Sequence, residues 1–139
     1  MNVDGGCLCG HVTYEAEVDS KRVAICHCTD CQIHSASAFG VVVPIVEERF
    51  TLLSGSLKVY VKTAESGTQR ALSFCPECGT RIHAKTVGEG SPLFGLRVGT
   101  VRQRNQLEPA VQVWCRSMQS WIGDLESIPR FDGQPEELN

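Results

Sequence analysis

The sequence predicts an all-β protein made of small, packed antiparallel sheets. Three observations lead there. Apolar and polar residues alternate with period two in several short runs, turn-forming residues separate those runs, and only one segment has helical character. In chain order, "HVTYEAEV" comes first: Val12, Tyr14, Ala16 and Val18 alternate with polar residues, the pattern of a strand with one wet face. "RVAIC" is a short strand that delivers Cys26. "TDCQIHSASA" is the helical exception, with room for at most about two turns. "FGVVVPIV" is rich in β-branched residues, and Pro44 within it argues for a sheet edge or a bulge, because proline has no N–H for a ladder. "LKVYVK" alternates again, with Leu57, Val59 and Val61 on one side. "RALSFC" and "TRIHAK" read as the two arms of a hairpin, and "LFGLRVGTV" and "AVQVWC" supply two more strands, for about eight or nine in all. The stretches 62–69 ("KTAESGTQ") and 87–92 ("VGEGSP") read as exposed loops, and the tail "DGQPEELN" as loose.

A chain of 139 residues suits one domain, 1–139, with a real core. The 42% hydrophobic and 21% charged residues are an ordinary balance. Net charge is −3 and no run of Lys or Arg exists, which disfavours a nucleic-acid partner; with 6% aromatic residues a base-stacking platform is disfavoured too. No apolar run is long enough to span a membrane, and "MNVDGG" lacks the features of a secretory signal, so the expected location is cytoplasmic, where thiols stay reduced.

That setting bears on the eight cysteines. Seven fall into three tight groups: Cys7 with Cys9, Cys26 with Cys28 and Cys31, and Cys75 with Cys78. Neighbours one residue apart cannot close a relaxed disulfide, so metal ligation is the better reading. "CPECG" is the strongest signal: Pro76 preorganises the turn, Gly79 tolerates the backbone beyond it, and both sulfurs turn toward one ion. A structural zinc takes four ligands. Pairing Cys75 and Cys78 with Cys7 and Cys9 gives every clustered sulfur a role and leaves Cys26, Cys28 and Cys31 as a complete set of three. Three protein ligands and a vacancy are the pattern of catalytic zinc, and soft thiolates suit a thiol substrate in the fourth place. His27 or His34 would close that vacancy if either joined the trio, making it a second structural site. His11 and His83, expected on strands, read as partly buried histidines, and Cys115 as a small core residue in a strand.

The residues "GGCLCGHVTYEA", "CHCTDCQ", "SASAF", "FCPECGTRI" and "WCRSMQSW…PRFDG" resemble, in order, the glutathione-dependent formaldehyde-activating enzyme (GFA) family, which includes centromere protein V; the resemblance runs from about Gly5 to Gly133. It implies a β-tent-like fold with two Zn²⁺ per chain, one structural on Cys7, Cys9, Cys75 and Cys78, the other open and catalytic on Cys26, Cys28 and Cys31. It also implies a carbon–sulfur lyase reaction that joins and releases glutathione and formaldehyde. The chain departs from the pattern in being shorter than the named enzymes and in carrying Ala36 where a glycine is common.

Two function classes follow. An enzyme would take a small thiol and an aldehyde, with His27, His34 or water moving the proton and Arg81 or Arg97 free to bind a substrate carboxylate. A zinc-stabilised binding module would have both metals saturated. A redox sensor, releasing zinc when the trio is oxidised, is a third reading.

Overall fold

The computed structural model describes residues 1–88 and 93–138, so most of the loop expected at 87–92 lies outside the described residues. The strands in chain order are β1 (Asn2–Gly6), β2 (Thr13–Glu17), β3 (Ala24–Cys26), β4 (Gly40–Val46), β5 (Phe50–Ser54), β6 (Lys58–Thr63), β7 (Gln69–Phe74), β8 (Arg81–Thr86), β9 (Leu93–Arg97) and β10 (Val111–Val113). One α-helix is present among the described residues, α1 (Thr29–Ser35), and short 3₁₀ turns join several strands. The expected all-β class with one two-turn helix is what forms.

The strands make two sheets, β1-β2-β5 and β10-β3-β4-β9-β8-β7-β6. Pairing is antiparallel throughout except for β10, which runs parallel to β3 and lies beside it from 85 or more residues away, with Val113 opposite Cys26. Strand β2 behaves as its alternation predicts: Val12, Tyr14, Ala16 and Val18 are all buried. β1 and β5 carry no alternation strong enough to read, yet they flank β2 on both sides.

Aromatic rings join the sheets. Phe50 on β5 stacks on Tyr14 at 5.1 Å and meets Phe94 and His83 of the larger sheet at 5.6 and 5.1 Å. Val43, Ile45, Ile82 and Leu96 complete the larger sheet's inner face, and Leu107 and Val101 fill in behind. His83 is therefore a core histidine, stacked on Phe94 at 4.3 Å. Burial pulls its imidazole down to about 4, so the ring is neutral at pH 7.

Pro44 sits where one side of β4 is free. β3 covers β4 only over Gly40–Val42, while Pro44 pairs with Gly95 of β9 on the other side. Three expectations shift. Val59 and Val61 alternate as read, but β6 is the sheet's outer strand and both are exposed. His11 lies in the turn before β2, where its Nε2 accepts from the Ser56 N–H. Cys115 is neither in a strand nor in the core: Trp114 takes a left-handed conformation (φ 58°) that ends β10, and Cys115 begins an exposed 3₁₀ turn.

Candidate metal centres

The first centre is built from two turns. Cys7 and Cys9 lie between β1 and β2; Cys75 and Cys78 lie between β7 and β8. In the first turn the Cys7 N–H donates to Val12 O, and in the second the Cys75 N–H donates to Thr80 O, while Gly79 (φ 78°) turns the chain where a side chain would strain it. The Leu8 N–H donates to Thr80 Oγ1 and ties the turns together. All four Sγ atoms lie within 4.8 Å of one another. Cys7 and Cys9 are 3.6 Å apart and Cys9 and Cys75 3.9 Å. Sulfurs on a tetrahedral zinc are about 3.8 Å apart, so the donor set fits that ion. The N–H groups of Val12 and Glu77 point at Cys7 and Cys75 sulfur, and a hydrogen bond with Thr80 holds the Cys78 thiol down at about 5.

The second centre lies on the outer face of the larger sheet. Cys26 ends β3, Cys28 is the N-cap of α1, and Cys31 sits one turn in, its N–H donating to Cys28 Sγ. The three sulfurs lie within 4.8 Å of one another, and no histidine or carboxylate among the described residues joins them. Thus neither His27 nor His34 closes the trio. His27 is fully buried, with Nε2 on Gln112 Oε1 and its ring edge-on to Phe39. α1 ends at Ala36, whose N–H donates to the Gln32 and Ile33 carbonyls from a left-handed backbone (φ 50°, ψ 42°), a conformation that suits glycine better than an L residue.

One irregularity adds Arg81 to the arginines beside the trio. β7 pairs with β8 as Ser73↔His83 and then Phe74↔Arg81, so Ile82 is the extra residue of a β-bulge. The bulge keeps His83 and Ile82 inside and turns Arg81 outward, onto the face that Arg70 and Arg97 share by register. Arg97 reaches Cys31 Sγ with both terminal nitrogens at 3.9 Å. Gly40 makes room: a Cβ there would lie 2.4 Å from Arg97 Nη1. The hydrogen bond from Cys26 and the charge of Arg97 bring the Cys31 thiol down to about 5, while the same bond and burial push Cys26 up. Burial and neighbouring arginines lower Arg81 to about 10, still charged at pH 7.

A cavity of about 460 Å³ opens beside this cluster, lined by His34, Phe39, Gly40, Val41, Arg81 and Arg97 among others. Burial, then Arg81 and Arg97, lower His34 to about 4, which leaves it neutral. A larger depression of about 710 Å³ runs along the small sheet; no clustered cysteine lines either cavity, and the smaller one is tied to the trio through Arg97 and Gly40, which lie against Cys31. The bulge at Ile82 is what sequence reading missed; both arginines were visible as residues, their shared face was not.

A β domain clipped by one four-sulfur cluster, with a three-sulfur cluster opening beside a cationic cavity, defines a class of small metal-binding thiolate proteins. Residues 2–117 match the family model described as "Glutathione-dependent formaldehyde-activating enzyme", and the chain belongs to that family. No curated protein matches it. A crystal structure of a Rhodobacter sphaeroides protein is similar in fold, with TM-score 0.61 and 19% identity over 79% of this chain and 99% of that one. No helix of the described residues is long and apolar enough to cross a membrane.

Proposed function

We propose that the chain is a zinc-dependent carbon–sulfur lyase acting on the adduct of a small thiol and an aldehyde, of the glutathione–formaldehyde type. One observation carries this reading: Cys26, Cys28 and Cys31 converge with no fourth protein ligand among the described residues, and Arg97, which lines a cavity with Arg81, lies against Cys31. Family membership supports the chemistry. Cys7, Cys9, Cys75 and Cys78 then hold a structural zinc, and the trio holds the open one. Bound there, zinc supplies a Lewis acid that keeps a thiol deprotonated at neutral pH.

The chain's own groups do the rest. Cleaving a hydroxymethyl thioether removes the hydroxyl proton, forms the C=O bond and breaks the C–S bond, with its electron pair leaving on sulfur. His34 lines the cavity and its Nδ1 has no partner, so it is the ring placed to relay that proton to the product thiolate. His27 is held by Gln112 inside the fold and does not serve. Arg97, already against Cys31, stabilises negative charge collecting on the leaving sulfur. Phe39 and Val41 give the cavity an apolar wall.

Exchange between formaldehyde and glutathione, followed by NMR, tests this. Cys28→Ser should slow exchange by about 1,000-fold or more, and His34→Gln by about 100-fold with metal content unchanged. Equal rates for wild type and Cys28→Ser sink the reading. A cobalt-substituted protein whose trio binds a fourth protein ligand supports the binding module instead.

A further inference from the structure

We infer that Arg81 and Arg97 form an anion subsite that selects compact mercapto acids, thiols with a carboxylate a few bonds from sulfur, over neutral thiols. The inference rests on the lyase reading for the thiol and on the cavity for the anion.

Both guanidiniums line the cavity, and Arg81 Nε and Nη2 and Arg97 Nε have no acceptor in the protein. None of the ion pairs among the described residues involves Arg70, Arg81 or Arg97. Unpaired buried donors and charges are costly unless an acceptor enters. The charges on this face do not balance by themselves. Three thiolates on a divalent cation carry one net negative charge, the three guanidiniums carry three positive ones, and Lys62 is already paired with Asp30. The surplus is two, which a thiolate with one carboxylate cancels.

Spacing narrows the ligand. One guanidinium, Arg97, touches Cys31 sulfur with its terminal nitrogens while its buried Nε has no acceptor. A ligand whose thiol sits at the trio and whose carboxylate meets the same guanidinium must carry the two groups close together. Glutathione carries its nearest carboxylate farther off, beyond a peptide bond, whereas 3-mercaptopropionate fits the span.

Calorimetry on the zinc-loaded full chain tests this with 3-mercaptopropionate, glutathione, 2-mercaptoethanol and propionate. The mercapto acid should bind about 10- to 100-fold tighter than 2-mercaptoethanol, the worth of a charge-assisted pair, and at least as tightly as glutathione. Arg81→Gln should erase that preference without changing 2-mercaptoethanol affinity or metal content, and Arg81→Lys should restore part of it. Gly40→Ala should weaken it too, by displacing Arg97. Equal binding of the two small thiols in wild type overturns the subsite while leaving the lyase reading intact, as does a preference that survives Arg81→Gln. Arg81-dependent binding of propionate with no thiol binding overturns both the lyase reading and the mercapto-acid selection, leaving only a carboxylate site.

Discussion

The four-sulfur cluster and the three-sulfur cluster differ in ligand count, in what packs around the sulfurs and in what lies beyond them. Cys7, Cys9, Cys75 and Cys78 come from two turns whose backbone N–H groups already point at sulfur. The Leu8–Thr80 bond joins the small sheet's turn to the β7–β8 hairpin. Cys26, Cys28 and Cys31 come from a strand end and a two-turn helix, with a guanidinium rather than a backbone amide against Cys31. The cavity beyond Arg97 is walled on one side by α1 and on another by Gly79 and Thr80 of the β7–β8 turn. On the function proposed above, one residue type would serve architecture or reaction according to how many copies converge and whether their surroundings leave room.

Serine substitution in each cluster gives the largest contrast. With zinc on the four-sulfur cluster, Cys75→Ser should remove a clip worth on the order of 10 kcal/mol, comparable to a domain's whole net stability, so circular dichroism should show an unfolded chain. Cys28→Ser should stay folded, because serine is itself a good N-cap for α1, and lose one metal of two with its activity. If Cys28→Ser unfolds and Cys75→Ser does not, the roles assigned to the clusters are reversed.

Acid titration separates the core from both clusters. His83 is neutral in the fold, with its imidazole held at about 4 against an ordinary value of 6.5. The unfolded chain binds the extra proton first, so stability falls as pH drops from about 6.5 to 4, by about 3 kcal/mol. His83→Phe should remove that part of the pH dependence in denaturant titrations. The acid release of metal, common to both proteins, would remain. An unchanged slope would mean that His83 is not the buried neutral group described.

The smallest effect concerns the helix beneath the trio. Ala36→Gly should raise the unfolding free energy by about 1 kcal/mol, since an L side chain is strained at φ 50°. A loss of stability on that change would show that the α1 terminus is held differently.

Much of this was legible in the sequence where the signal is local. The burial of Val12, Tyr14, Ala16 and Val18 follows from alternation, and α1 has the length expected. β1 was not legible: "NVDGG" has little strand propensity and forms by pairing along β2. β5 was hidden similarly, although Phe50 joins the sheets. Cys115 was misplaced because the left-handed turn at Trp114 leaves no trace in a run of apolar residues.

Cysteine number and spacing mark the two candidate metal centres directly, because donor type and close pairing are properties of short segments. The sequence likewise determined which strands have a wet face. Whether the trio would be left short of a ligand was a tertiary matter, decided by where His27 and His34 came to rest. So was the cationic wall beside it. Side-chain direction in a sheet depends on register, and a single extra residue at Ile82 sends Arg81 to the same face as Arg97.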